Sequence, residues 1–195
     1  MKKRVVAAVL LLLALTALWG CSGSTGSGGT EKKLSKEEQE ACVEIAGDFL
    51  SRYQKMDSSV AELLYMGDGE ELSFDGYQGA FAEQIEYEIG DFKQNGANAW
   101  VEVQISNADF KAAFESAVET AGEENGEQAI LDAFSAILAS EECPRREFEC
   151  TLYLASDAGA WKVFMDSSLS NALTGGATEY FSEYLMGGAD DEKNE

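Results

Sequence analysis

The side chains able to do covalent or acid–base chemistry are few. The 195-residue chain contains no histidine. That removes the ordinary proton-transfer group near neutral pH, and with it Ser-His-Asp and Cys-His catalysis and every His-ligated metal site. Four cysteines remain: Cys21, Cys42, Cys143 and Cys150. No Cys-x-x-Cys spacing occurs, so neither a redox pair nor a zinc site is expected. Cys42 and Cys150 fall on apolar faces of their segments, which suits burial as small hydrophobes. Outside Cys21, both free thiols and one disulfide are compatible with the sequence. A Cys143–Cys150 bond would need the chain to fold back at Pro144, because seven residues of strand span far more than the about 5.5 Å between bonded Cα atoms. Asp68, Glu70, Glu71 and Asp75 form a Gly-bearing acidic loop with oxygens of the kind calcium takes, but the spacing matches no EF-hand. No metal, cofactor or catalytic residue is assigned.

Cys21 has a distinct context. Lys2, Lys3 and Arg4 precede an apolar run from Val5 to Leu18, broken only by Thr16. The run falls short of the about 20 residues that span a bilayer but has the length and flanks of a secretory signal. It ends in Leu18-Trp19-Gly20-Cys21, which resembles a bacterial lipobox, with Trp19 bulkier than the usual occupant. That pattern implies cleavage after Gly20 and acylation of the Cys21 sulfur. Ser22 to Thr30 then carries only Gly, Ser and Thr. Nine such residues behave as flexible coil spanning roughly 15–20 Å. The expected organisation is a cleaved signal at 1–20, a lipidated tether at 21–34, one globular domain at 35–186 and an acidic tail at 187–195.

Charge narrows the partners. Fourteen basic residues face 36 acidic ones, a net charge of −22. Removing 1–20 takes away Lys2, Lys3 and Arg4 and no acid, leaving −25. Such a chain is repelled by nucleic acid and by anionic headgroups, so no nucleic-acid partner is expected and the membrane is reached through the anchor.

The elements that must position any site follow from periodicity. Cys42, Ile45, Ala46, Phe49, Leu50 and Tyr53 recur at helical spacing over 35–56, with Ser35 as N-cap. Short helical stretches are expected at 58–65 and 77–81. Ile85, Tyr87 and Ile89 alternate with Glu86, Glu88 and Gly90. Val101, Val103 and Ile105 alternate with Trp100, Glu102 and Gln104. With Asn95-Gly96 between them, these form a hairpin. A helical pair follows, capped by Asn107 or Ser106 and carrying Phe110, Phe114, Ile130 and Phe134 inward. Pro144 ends it. Phe148, Cys150, Leu152 and Leu154, then Trp161, Val163 and Met165, build a second hairpin, and a terminal helix bears Tyr180, Phe181, Tyr184 and Leu185. The expected fold is α+β: a curved antiparallel sheet of about four strands, from two hairpins, packed on helices.

The tether, the leading helix, the hairpin running into Ile105-Ser106-Asn107-Ala108-Asp109-Phe110, and the strand Trp161-Lys162-Val163 resemble a group of uncharacterised Gram-positive lipoproteins. The resemblance covers about residues 35–186 and implies a nuclear transport factor 2-like, cystatin-like domain on the extracytoplasmic face of the cell membrane. Enzymes of that fold use a carboxylate and a tyrosine within the cone; neither maps onto a position here.

Two faces are candidates for contact. Strand alternation places Trp100, Tyr153 and Phe164 on the outward side among glutamates, as a partner or homodimer face, unless one of the extra helices covers them. Tyr87 and Trp161 point inward, as core or as the lining of a ligand cone. The function expected is a membrane-anchored module that binds a small molecule, peptide or protein at the cell envelope. The alternatives are a carboxylate/tyrosine enzyme and a dimerising structural component.

Overall fold

The structure is a computed structural model that describes residues 33–65, 74, 76–95, 98–122, 125–157 and 159–187. The signal segment, Cys21, most of the tether, the acidic tail and Asp68, Glu70, Glu71 and Asp75 of the acidic loop lie outside the described residues. Helix α1 spans Lys36–Gln54 and opens with a capping box between Ser35 and Glu38. The Ser35 hydroxyl accepts from the Glu38 N–H, and the Glu38 carboxylate accepts from the Ser35 N–H, so two otherwise orphaned donors are met. A 3-10 turn at Ser58–Leu63 and the short helix α2 at Tyr77–Glu83 lead into the sheet.

Strands β1 (Glu86–Asn95), β2 (Asn98–Ala108), β3 (Arg145–Asp157) and β4 (Ala160–Phe164) form one antiparallel sheet in the order β1-β2-β3-β4. The fold is therefore α+β with an open four-stranded antiparallel sheet, as the two hairpins predict. A bulge between Ile89 and Phe92 shifts the register of β1. Strict alternation would turn Phe92 outward. The extra residue instead sends Phe92 inward opposite Val101 and leaves Lys93 opposite Trp100.

The sheet buries one face. Val101, Val103, Ile105, Phe148, Cys150, Leu152, Leu154 and Val163 pack against Cys42, Ala46, Phe49, Leu50 and Tyr53 of α1. Leu169, Ala172 and Leu173 of α5 (Ser167–Leu173) close the same core. The helical pair behaves differently from expectation. Helices α3 (Phe110–Ala121) and α4 (Gly126–Leu138) do not lie on the sheet's apolar side. They join α2 and α6 (Ala177–Gly187) in a second core of Phe81, Phe110, Phe114, Phe134 and Phe181. Phe110 is its hub, with the rings of Phe81, Phe114, Phe134, Tyr180 and Phe181 at 5.2–6.1 Å. Aromatic side chains are wide enough to build a core from few positions, which lets these helices pack on one another.

The two cores meet at the end of β2. Asn107 and Ser106 stay in the strand, and Asp109 is the N-cap of α3, accepting from the Ala112 N–H at 3.1 Å. Asn107 is fully buried. Its amide donates to the Ala172 and Leu173 carbonyls, both at 3.0 Å, and accepts from the Ala108 N–H at 2.8 Å. The Phe110 N–H donates to the Gly175 carbonyl at 2.9 Å. Gly175 sits at φ +63°, and a Cβ there would lie 2.0 Å from the Ala108 carbonyl oxygen. Only glycine permits that approach.

Candidate functional site

The outer face of the sheet is built as a set of rows, one residue per strand. In one row Lys93 of β1 stands opposite Trp100 of β2, Trp100 opposite Tyr153 of β3, and Tyr153 opposite Phe164 of β4. Register thus brings together all three residues singled out from alternation. The rings of Trp100 and Tyr153 are 6.4 Å apart. No helix covers the row among the described residues: Tyr153 is 41% exposed and Phe164 47%. The helices that could have shielded it sit in the second core instead.

The row extends one position further than alternation within strands shows. Leu64 bridges Val163 in parallel, and the Tyr65 N–H donates to the Val163 carbonyl at 2.8 Å. Leu64 is buried beside Val163, so Tyr65 alternates to the outer side next to Phe164. Tyr65 is 48% exposed; with Tyr153 and Phe164 it completes the exposed large hydrophobic residues among the described ones. All three therefore occupy one row. Local pattern puts Tyr65 at the end of a helix, because its pairing partner lies about a hundred residues away.

Charge is distributed unevenly around this row. At its β1 end Lys93 forms an ion pair with Glu102. One row beyond, on the hairpin-tip side, Lys162 reaches from β4 to the Glu62 carbonyl. On the opposite side the strands carry Glu86, Glu88, Glu147 and Glu149. Arg145 folds over that end, donating to the Ser106 and Gln84 carbonyls at 3.1 and 3.0 Å and pairing with Glu86 at 3.3 Å. Among the described residues Glu88, Glu147 and Glu149 are exposed and make no ion pair.

The inner-face candidates do not converge. Tyr87 pairs with Ile105, which pairs with Phe148, at one end of the sheet; Trp161 pairs with Ser156 at the other end and on the far strand. The two are separated by about 27 Å along the strands and about 14 Å across them. Each is half-buried at the margin of the first core, and the space between them is filled by aliphatic side chains. Among the described residues the buried polar ones are Asn107 and Thr174, and none is a carboxylate. Tyr53 is buried and its hydroxyl is raised well above its ordinary pKa by burial.

Burial keeps the described thiols protonated near neutral pH. Cys42, Cys143 and Cys150 are free. Burial, helped by nearby Glu38, pushes the Cys42 thiol up to about 11; burial, helped by Asp166, pushes Cys150 up to about 12. Burial also raises the half-buried Cys143. No group of three or more Cys, Asp or Glu among the described residues is placed to share a metal ion. No described helix is long and apolar enough to cross a membrane. No known family model, curated protein or solved structure matches this chain, so its functional reading rests on its own geometry.

Proposed function

We propose that this chain is a lipid-anchored extracytoplasmic module that presents the outer face of its sheet to a polypeptide partner. The observation that carries the reading is the single row of Trp100, Tyr153, Phe164 and Tyr65, three of them exposed, on a face that no described helix covers. Contiguous exposed apolar side chains on a polar surface are a mark of contact sites. Anchoring is supported by the basic start, the apolar run and Leu18-Trp19-Gly20-Cys21. Assignment to the nuclear transport factor 2-like, cystatin-like fold belongs to the same proposal. It is supported by a single antiparallel sheet with a long leading helix against its inner face.

One labelling experiment tests both parts. Tyr153→Cys and, separately, Glu40→Cys on the exposed side of α1 are made in a Cys143→Ser background. Intact cells and detergent-purified protein are treated with a membrane-impermeant maleimide. The thiol at position 40 should label alike in both, which is the behaviour of an extracytoplasmic surface. The thiol at position 153 should label several-fold more slowly in cells than after purification. Equal rates at position 153 would overturn the contact face, and labelling at position 40 only after membranes are opened would overturn the location. Cys21→Ala should release the protein from the membrane; unchanged retention would refute the anchor.

A further inference from the structure

We infer that the partner of this face is a cationic polypeptide whose apolar contact and basic side chains are set apart along the strand direction. The inference rests on the proposed contact face and adds to it the chemistry of what docks there. The face has two unlike ends. The aromatic row lies toward the hairpin tips with Lys93 and Lys162 beside it. The unpaired carboxylates of Glu88, Glu147 and Glu149 lie the other way along the strands. Tyr153 and Glu149 share one strand and one face at a separation of four residues, or about 13 Å. A partner that lays an apolar or aromatic side chain on Tyr153 and Phe164 therefore meets carboxylates about 13 Å further along, where lysine or arginine would be drawn.

The same polarity argues against the other occupants. Two copies stacked with their strands running the same way would set the glutamate rows against each other. The antiparallel arrangement would overlap only the hairpin-tip part of each sheet and leave those rows overhanging the partner's tips. An anionic bilayer would be repelled by the carboxylates and by a net charge of −22.

The test uses the full chain and two synthetic probes. One is the extended heptapeptide Phe-Thr-Thr-Thr-Arg-Thr-Arg, whose alternate side chains match the same-face spacing. The other replaces both arginines with glutamate. Binding is followed by fluorescence anisotropy. The arginine probe should bind at least about tenfold more tightly. Glu88→Gln, Glu147→Gln and Glu149→Gln together should erase that preference. The remote control, Glu115→Gln, Glu119→Gln and Glu183→Gln together, should change it less than about twofold. Equal effects of the two triple variants would show bulk attraction only and overturn the inference. If Phe164→Ala weakens both probes alike and the labelling protection in cells survives the face triple variant, the contact face stands and the cationic partner is refuted. A dimer in sedimentation that Trp100→Glu disperses would assign the face to a second copy and likewise overturn it.

Discussion

Replacing Asn107 by alanine should destabilise the protein more than any other single polar substitution in the described fold. The side chain is fully buried and makes three hydrogen bonds. Two of them reach the carbonyls at the C-terminal end of α5, and the third returns to the Ala108 N–H in β2. The Ala172 carbonyl keeps a second donor in the Gly175 N–H at 3.2 Å, so truncation strands chiefly the Leu173 carbonyl and the Ala108 N–H. At about 1–3 kcal/mol for each of these two groups left without a partner, the loss should be about 2–6 kcal/mol. That is a large part of the about 5–15 kcal/mol typical of a domain. Urea unfolding at pH 7 measures it, with an unchanged m-value showing that the same surface is exposed. Asn107→Asp refines the test. The new carboxylate would face two carbonyl oxygens, so its folded pKa must rise above the unfolded value of about 3.9. Relative to the native chain at the same pH, the defect should then be full at pH 7 and narrow as pH falls toward 4 and below. A loss under about 1 kcal/mol for Asn107→Ala, or a defect in Asn107→Asp that ignores pH, would refute the reasoning.

Three further outcomes follow from the same geometry. Gly175→Ala should cost more than about 3 kcal/mol in urea unfolding, because the new methyl meets the Ala108 carbonyl and φ is positive; Gly176→Ala, whose nearest contact is the flexible Arg146 side-chain end at 3.2 Å, should cost about 1–2 kcal/mol for its φ. Native-state alkylation near pH 8 should modify Cys143 well before Cys42 or Cys150, and equal rates would contradict their burial. The raised thiols hold their protons in the folded state, so their stabilising effect is complete below the unfolded pKa of about 8.5 and is lost as pH rises toward the folded values of about 11 and about 12. Cys42→Ala with Cys150→Ala should flatten that alkaline decline in thermal unfolding.

Much of the architecture was legible because it depends on short-range pattern. Cys42, Ala46, Phe49, Leu50 and Tyr53 mark one side of α1, and all five are buried. Period-two alternation placed Val101, Val103, Ile105, Leu152 and Leu154 on the inner face correctly, so their neighbours Trp100 and Tyr153 turn outward. What stayed hidden depends on distant contacts. Asn107 reads as a helix cap from its neighbours, yet the carbonyls that claim its amide belong to α5. The β1 bulge changes the side on which Phe92 and Lys93 emerge, and an extra residue in a strand leaves alternation locally ambiguous. Tyr65 joins the aromatic row only through a parallel bridge to β4. The separate aromatic core was equally out of reach, since an amphipathic helix shows which side it buries and not against what.

The Leu34 N–H donates to the Gln94 side chain at 2.9 Å where the chain enters the fold. Gln94 is the neighbour of Lys93 and pairs with Ala99, so entry is at the hairpin-tip corner, one residue from the end of the aromatic row. That corner is where the described chain begins. Twelve residues separate Leu34 from Cys21. An anchor at Cys21 would hold that corner nearer the bilayer than the carboxylate end of the sheet. A molecule approaching from outside would meet negative charge first, and one already in the plane of the membrane would meet the rings. Direction of approach would then sort visitors before any close contact is made.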